Sequence, residues 1–245
     1  VPNIILFVVI GFVAQMIDGA LGMAYGVSAN TLLLSLGLPP AAASASVKTA
    51  EVVTTAISGT SHLRLGNVKR ELLKRLLIPG VVGGVLGAYV LTAVPGEVIR
   101  PIVSIYLAAM GAVILRKAFG KVAEREVKTA LAPLGFAGGF CDAIGGGGWG
   151  PIVTSTLIAR GNHVHFTIGT VNLAEFFVTL AASVTFALTI GLVHWQVIVG
   201  LMIGGAIAAP LAAYTCRKLP TRALMVCVGL LIIVLSLRTL YLSLA

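Results

Sequence analysis

Charge is what this sequence has least of. Only 10% of its 245 residues are Asp, Glu, Lys or Arg, against about 25% in soluble domains, so most of the chain cannot face water. Between Val1 and Val47 the one charged side chain is Asp18, and between Thr129 and Ala159 it is Asp142. About 20 apolar residues are enough to span a bilayer as a helix, and several such stretches fit. Cysteine is scarce too. Cys141, Cys216 and Cys227 have no CxxC spacing and lie in or beside apolar segments, which excludes a metal-binding cluster and a disulfide framework. No HExxH, GxSxG or triad spacing occurs, so the sequence is read as a non-enzyme without cofactor or metal. The run Gly145–Gly150 has no preceding strand and no following Gly-Lys-Ser/Thr, which excludes a nucleotide loop. No basic segment precedes the first apolar run and no cleavage site follows it, so that run is read as a membrane segment rather than a signal peptide.

What is present is 58% hydrophobic, with a mean hydropathy of +1.05. The 29 glycines and 10 prolines would be costly in a soluble bundle. In a membrane, small residues let helices approach closely and breaks can line cavities. The net charge of +9 does not point to nucleic acid, because the basic residues cluster in short loops between apolar segments.

The chain repeats itself. A shift of 124 residues superimposes Gly11 on Gly135, Phe12 on Phe136, Asp18 on Asp142 and Gly22 on Gly146. The same shift pairs Tyr25 with Trp149, Gly26 with Gly150, Gly37 with Gly161, Val47 with Val171, Ala50 with Ala174 and Glu51 with Glu175. Shared hydrophobicity could align Val and Ala, but not Asp, Glu and aromatic-Gly pairs. The division is therefore 1–120 as a first membrane repeat, 121–129 as a cytoplasmic linker and 130–245 as a second repeat. In the first, a long apolar stretch over 1–37 is interrupted at Asp18–Gly22, and runs follow at about 42–61, 72–94 and 98–117. In the second, the break is Asp142–Gly148, and runs follow at about 166–190, 195–216 and 221–243.

Loop charge sets the expected orientation. Loop 62–75 carries Arg64, Lys69, Arg70, Lys74 and Arg75, the linker region carries Arg116, Lys117, Lys121, Arg125 and Lys128, and loop 217–222 carries Arg217, Lys218 and Arg222. Placing these in the cytoplasm leaves the connections at 94–98 and 190–195, and both termini, outside. The two halves then run in opposite directions, so each broken stretch must enter and leave on one side as a hairpin. The expected fold is an all-α integral membrane protein of two inverted-topology repeats, each a broken-helix hairpin plus three transmembrane helices. Repeats of this kind place a transport site at their interface.

Four of the eight acidic residues, Asp18, Asp142, Glu51 and Glu175, fall inside apolar segments, where ionisable groups are functional candidates. The two aspartates can cap the broken helices or help shape a site. Glu51 lies three residues after Lys48 on one helical face, so those two can pair. At the equivalent position of the second half Lys48 becomes Asn172, leaving Glu175 without a local cation and free to exchange protons. Proton coupling or site shaping is accordingly assigned to Glu51, Glu175, Asp18 and Asp142. Lys48 can bind an anion, or neutralise Glu51, or both. Helix N-termini after the breaks, around Gly22 and Gly146-Gly147, would add backbone donors. Tyr25 and Trp149 either wall the site or pack. Cys141 beside Asp142 leaves a sulfur relay open, and an anion channel would share the same hairpins.

The segments Ile10-Gly11-Phe12 to Asp18–Gly22, Gly37-Leu38-Pro39-Pro40 with the small stretch Ala41–Ser46, and Gly135-Phe136 to Asp142, Gly145–Gly150 and Gly161 carry a resemblance. The chain resembles the TauE/SafE, or sulfite exporter, family of membrane permeases along essentially its whole length. The resemblance implies transport of a sulfur-containing anion such as sulfite or a sulfonate, commonly export across a bacterial or archaeal cytoplasmic membrane. The expectation is a secondary transporter working by proton-coupled alternating access. Its partners would be a small anion, protons, the lipid bilayer and other copies of the chain.

Overall fold

A computed structural model of the chain describes residues 4–21, 23–119, 130–215 and 221–244. Among them lie ten α-helices, one π-helical turn and no strand. The first 117 residues form α1 (Ile4–Leu21), α2 (Tyr25–Ser35), α3 (Pro40–Arg64), α4 (Arg70–Ala93) and α5 (Gly96–Lys117). The remainder forms α6 (Leu131–Gly145), a π-helical turn (Trp149–Thr154) continued by α7 (Ser155–Ala159), α8 (Val164–Thr189), α9 (Trp195–Thr215) and α10 (Thr221–Leu244). The six expected runs outside the breaks all appear, within a few residues of their expected ends. The linker 121–129, with Lys121, Arg125 and Lys128, lies outside the described residues, as do Gly22, Cys216, Arg217 and Lys218.

Among the described residues, four helices are long and apolar enough to cross a membrane, over Arg70–Ala93, Gly96–Lys117, Phe166–Thr189 and Met225–Leu244, and shorter apolar helices accompany them. With no water to satisfy backbone groups in lipid, such segments close their hydrogen bonds within each helix. The helix α3 is different. Its 25 residues rise about 38 Å, but Lys48, Glu51 and a series of hydroxyls lower its hydropathy. Much of α3 is buried accordingly, Val47, Lys48 and Ala50 completely. Exposed Tyr89, Trp195 and Tyr241 sit near helix ends, where amphipathic rings suit a membrane interface.

Both apolar stretches break a few residues beyond the expected starts, α1 continuing through Asp18 to Leu21 and α6 through Asp142 to Gly145. After α1 the chain passes through Ala24 in the left-handed region (φ 92°) before α2 begins. After α6, Gly146 (φ 71°) turns the chain back, a conformation that glycine adopts without a Cβ penalty. Pro151 lies in the returning arm, and its missing N–H fits the widened π geometry there. Each hairpin thus has one long arm and one 11-residue arm. The short arm rises about 16 Å, half a bilayer core.

The helices interleave. The helix α1 packs along α9, and α4 along α6, while α3 packs on α8 and α5 on α10. The first two seams are close because Gly11 faces the backbone of Leu201 and Gly135 faces that of Leu76, its Cβ position only 2.9 Å from the Leu76 carbonyl oxygen. At such seams van der Waals packing drives helix association. At one face the turn after α2 meets α5 and α10: Arg100 donates to Leu34 O at 3.2 Å and Arg238 to Ser35 O at 3.2 Å. At the other face the α3–α4 connection meets the start of α8, where Lys69 N donates to Thr170 Oγ1 at 2.9 Å.

Candidate functional site at the crossing of the broken helices

The two hairpin tips meet in the middle of the bundle. Gly26, at the start of α2, lies against the carbonyl of Gly146, and Gly147 lies against the N–H of Val27. A methyl group at either position would collide with backbone that cannot yield cheaply. Replacing Gly26 by Ala should therefore separate the tips and lower the midpoint of thermal unfolding in detergent. An unchanged midpoint, with unchanged transport, would show that this contact is not needed.

Both aspartates cap the short arms. Asp18 Oδ1 accepts from Tyr25 N at 3.2 Å, and Asp142 Oδ1 accepts from Gly148 N at 2.7 Å and Trp149 N at 3.1 Å. Each satisfies helix N-terminal donors that would otherwise lack partners. The second tip is held by three side chains from other helices. Asn30 donates to Gly145 O at 2.5 Å, Ser44 to Ala143 O at 2.5 Å and Tyr106 to Gly147 O at 3.0 Å.

Lys48 is fully buried, and its Nζ lies 2.5 Å from Glu51 Oε2 and 2.7 Å from Asp142 Oδ2. The local pairing with Glu51 follows from three-residue helical spacing. The second carboxylate comes from α6, in the other half. Buried charges of this kind persist when paired and hydrogen-bonded.

Beside this cluster lies a cavity of about 510 Å³, a volume within the range of small-molecule sites. From α1 it takes Gln15 and Asp18; from α2, Tyr25; from α3, Glu51, Thr54, Thr55, Ser58 and His62; from α8, Ile168, Asn172 and Glu175; and from α9, Ala206 and Ala209. It runs from the tips along α3 to His62, toward the face that carries the α3–α4 connection. Asn172 donates to Ser58 Oγ at 3.1 Å, and the buried Gln15 Oε1 has no hydrogen-bond partner. A second, smaller space of about 20 Å³ lies between the tips, against Gly26, Val27, Gly147, Gly148 and Thr154. It has room for about one water molecule.

Of the residues expected from sequence, the structure gathers Asp18, Tyr25, Glu51, Asn172 and Glu175 around one cavity. Gly147 and Asp142 border the small space, and Gly146 sits against the Asn30 side chain. Lys48 stands behind Glu51 and lines neither space. Trp149 lines neither as well; its Nε1 donates to Val171 O at 3.1 Å from a fully buried ring. Cys141 is half-buried on α6 and borders neither space. Sequence reasoning passed over Gln15, Thr54, Thr55 and Ser58, which line the cavity together with His62. The available signal was spacing: 51, 55, 58 and 62 recur at the three- and four-residue intervals of one helical face.

No solved structure matches the chain. It is 44% identical, over an alignment of 248 residues, to the "Probable membrane transporter protein YtnM" of Bacillus subtilis (strain 168), covering 97% of this chain and 83% of that protein. The profile of the family described as "Sulfite exporter TauE/SafE" matches residues 7–239. With apolar helices enclosing an ionisable cavity, and a match over nearly all of its length, the chain belongs to the TauE/SafE sulfite exporter family of multi-pass membrane transporters.

Proposed function

We propose that the chain is a secondary transporter of a small sulfur-containing anion, sulfite or a sulfonate, working by proton-coupled alternating access between two inverted repeats. The observation that carries this reading is the cavity that ends where two broken-helix tips cross. N-termini of broken helices direct backbone donors and a positive dipole end at anionic groups. Gln15 and Asn172 add uncharged polar contacts, and Tyr25 bounds the inner end.

Inverted repeats are supported by more than sequence. Adding 124 to the bounds of α2, Tyr25–Ser35, gives 149–159, the span of the π turn and α7. The same shift carries α3, α4 and α5 onto α8, α9 and α10 within about three residues, the ordinary uncertainty of helix ends. It also carries the bond from Tyr25 N to Asp18 onto that from Trp149 N to Asp142, and the left-handed Gly37 onto the left-handed Gly161. The pairing of α1 with α9 and α4 with α6 is what a two-fold relation between the halves would generate. With the basic loops placed in the cytoplasm, the cavity is inward-facing and the termini are outside. On the far side the pathway is stopped by the bonds of Asn30 and Ser44 to the α6 tip, which favours a carrier over an open channel.

Protons enter the reading through charge. Asp18, Glu51 and Glu175 face the cavity, and the buried ammonium of Lys48 is already shared by Glu51 and Asp142. An anion arriving there meets carboxylates, and a proton taken up by Glu51 or Glu175 offsets its charge. The test is flux in proteoliposomes. With the membrane voltage held at zero by valinomycin and equal potassium on both sides, liposomes preloaded with unlabelled sulfite should transiently concentrate ³⁵S-sulfite by counterflow, which a channel cannot do. An imposed pH gradient should change wild-type net flux several-fold and leave that of Glu175→Gln unaffected. If the variant still follows the gradient, Glu175 is not the coupling group.

A further inference from the structure

The cavity accounts for one half of a pathway, and buried groups beyond the tips trace the other half. Glu175, Thr179 and Ser183 lie four residues apart on α8 and so share one helical face. Glu175 reaches the cavity, whereas Thr179 Oγ1 and Ser183 Oγ are buried without a hydrogen-bond partner. Unsatisfied buried hydroxyls are uncommon enough to require a reason. On α3 the corresponding face, Glu51 and Thr55, lines the cavity. The shift of 124 extends this relation to both walls. It takes Asp18 to Asp142, Glu51 to Glu175 and Thr55 to Thr179, and in the reverse sense it takes Ile168 to Ser44, Asn172 to Lys48 and Glu175 to Glu51.

We infer that Ser44, Lys48, Asp142, Glu175, Thr179 and Ser183 line a second, outward-facing anion site that is closed in this structure. Resting on the transport reading above, this assigns Lys48 two successive roles. In the closed state its ammonium joins α3 to α6 through Asp142, across the two halves, and Ser44 joins the same helices through Ala143 O. When the outer side opens, Asp142 withdraws, Lys48 occupies the position that Asn172 holds in the inner cavity, and its ammonium meets the anion. Water reaches Thr179 and Ser183 in that state and satisfies the hydroxyls that have no partner here. The two sites are then chemically unequal. The inner one presents an amide at residue 172, and the outer one presents a cation at residue 48.

Cysteine accessibility tests this directly. In a chain with Cys141, Cys216 and Cys227 replaced by Ser, single cysteines are placed at Thr179, Ser183, Thr55 and, as an outer control, at Val193 in the exposed α8–α9 connection. A membrane-impermeant maleimide is applied to intact cells or to inside-out vesicles. Thr179→Cys and Ser183→Cys should label from outside, more slowly than Val193→Cys, and Thr55→Cys from inside. Asp142→Asn keeps a cap acceptor for Gly148 and Trp149 but removes the charge that holds Lys48. It should speed outside labelling of Thr179→Cys roughly tenfold or more, the population shift expected from losing one charge-assisted contact. If neither α8 cysteine labels from outside in either background while Val193→Cys does, the second site is overturned. If both label but Asp142→Asn changes nothing, the Lys48–Asp142 latch is overturned. Inside labelling of Thr55→Cys reports on the inner cavity independently, so failure of the transport reading itself would be recognised as a separate result.

Discussion

Replacing Lys48 by Met is expected to destabilise the protein by about 3–5 kcal/mol, the usual consequence of removing one member of a buried ion pair. Methionine retains an unbranched apolar stem of similar length, so packing changes little and charge changes most. What remains is Glu51 on α3 facing Asp142 on α6, with their shared counter-charge gone. These helices belong to opposite halves, so the loss should appear as weakened docking between halves. Adding Asp142→Asn removes one of the two stranded carboxylates while leaving an oxygen to cap Gly148 and Trp149. The double variant should recover a large part of the lost stability, a non-additivity expected only of groups in direct contact. Thermal unfolding of the detergent-solubilised protein, followed by tryptophan fluorescence, measures both. A Lys48→Met protein as stable as its parent would mean that the ammonium does not hold α3 to α6.

Trp149→Ala should rival that effect, at about 3–5 kcal/mol for a large buried aromatic. The ring is completely buried and occupies a notch made by glycines on two neighbouring helices. A methyl at Gly80 would approach it to 2.5 Å, and one at Gly138 to 3.3 Å. Nothing nearby is large enough to refill the space, so a cavity remains. Trp149→Phe separates the contributions in part, since it keeps one aromatic ring in the notch and removes the bond to Val171 O. That variant should forfeit about 1–3 kcal/mol, for the lost bond together with the smaller cavity left by the missing ring. If Ala and Phe prove equally mild, the ring is not a keystone of α4–α6 packing. Tyr25, its counterpart by sequence, lines the cavity and should affect flux more than stability.

Much of this was legible from sequence because lipid leaves few choices. Apolar length and loop charge anticipated the helices and their ends, and the breaks at Asp18 and Asp142 marked the hairpins to within a few residues. The pairing of Lys48 with Glu51 followed from helical spacing alone. Asp142 as the second partner of Lys48 was not legible, because no one-dimensional spacing relates residues 48 and 142; only the crossing of the tips brings them together. The hydroxyl wall of α3 was missed for another reason. Threonine and serine within an apolar segment commonly bond to their own helix backbone, as Thr55 does with Glu51 O, so composition does not separate those facing a cavity from those facing lipid. Trp149 and Tyr25 looked equivalent in sequence and differ in space because the cavity lies on one side of the tips.

The interleaved seams also set a timetable for synthesis. The partner of α1 is α9, and roughly 170 residues must be translated between them, about 10–35 s at ordinary elongation rates of about 5–20 residues per second. During that interval the glycine-bearing face of α1 has only lipid, or the insertion machinery, against it. Neither half can complete its core before the other enters the membrane, and assembly must finish with the last helices rather than proceed from the first.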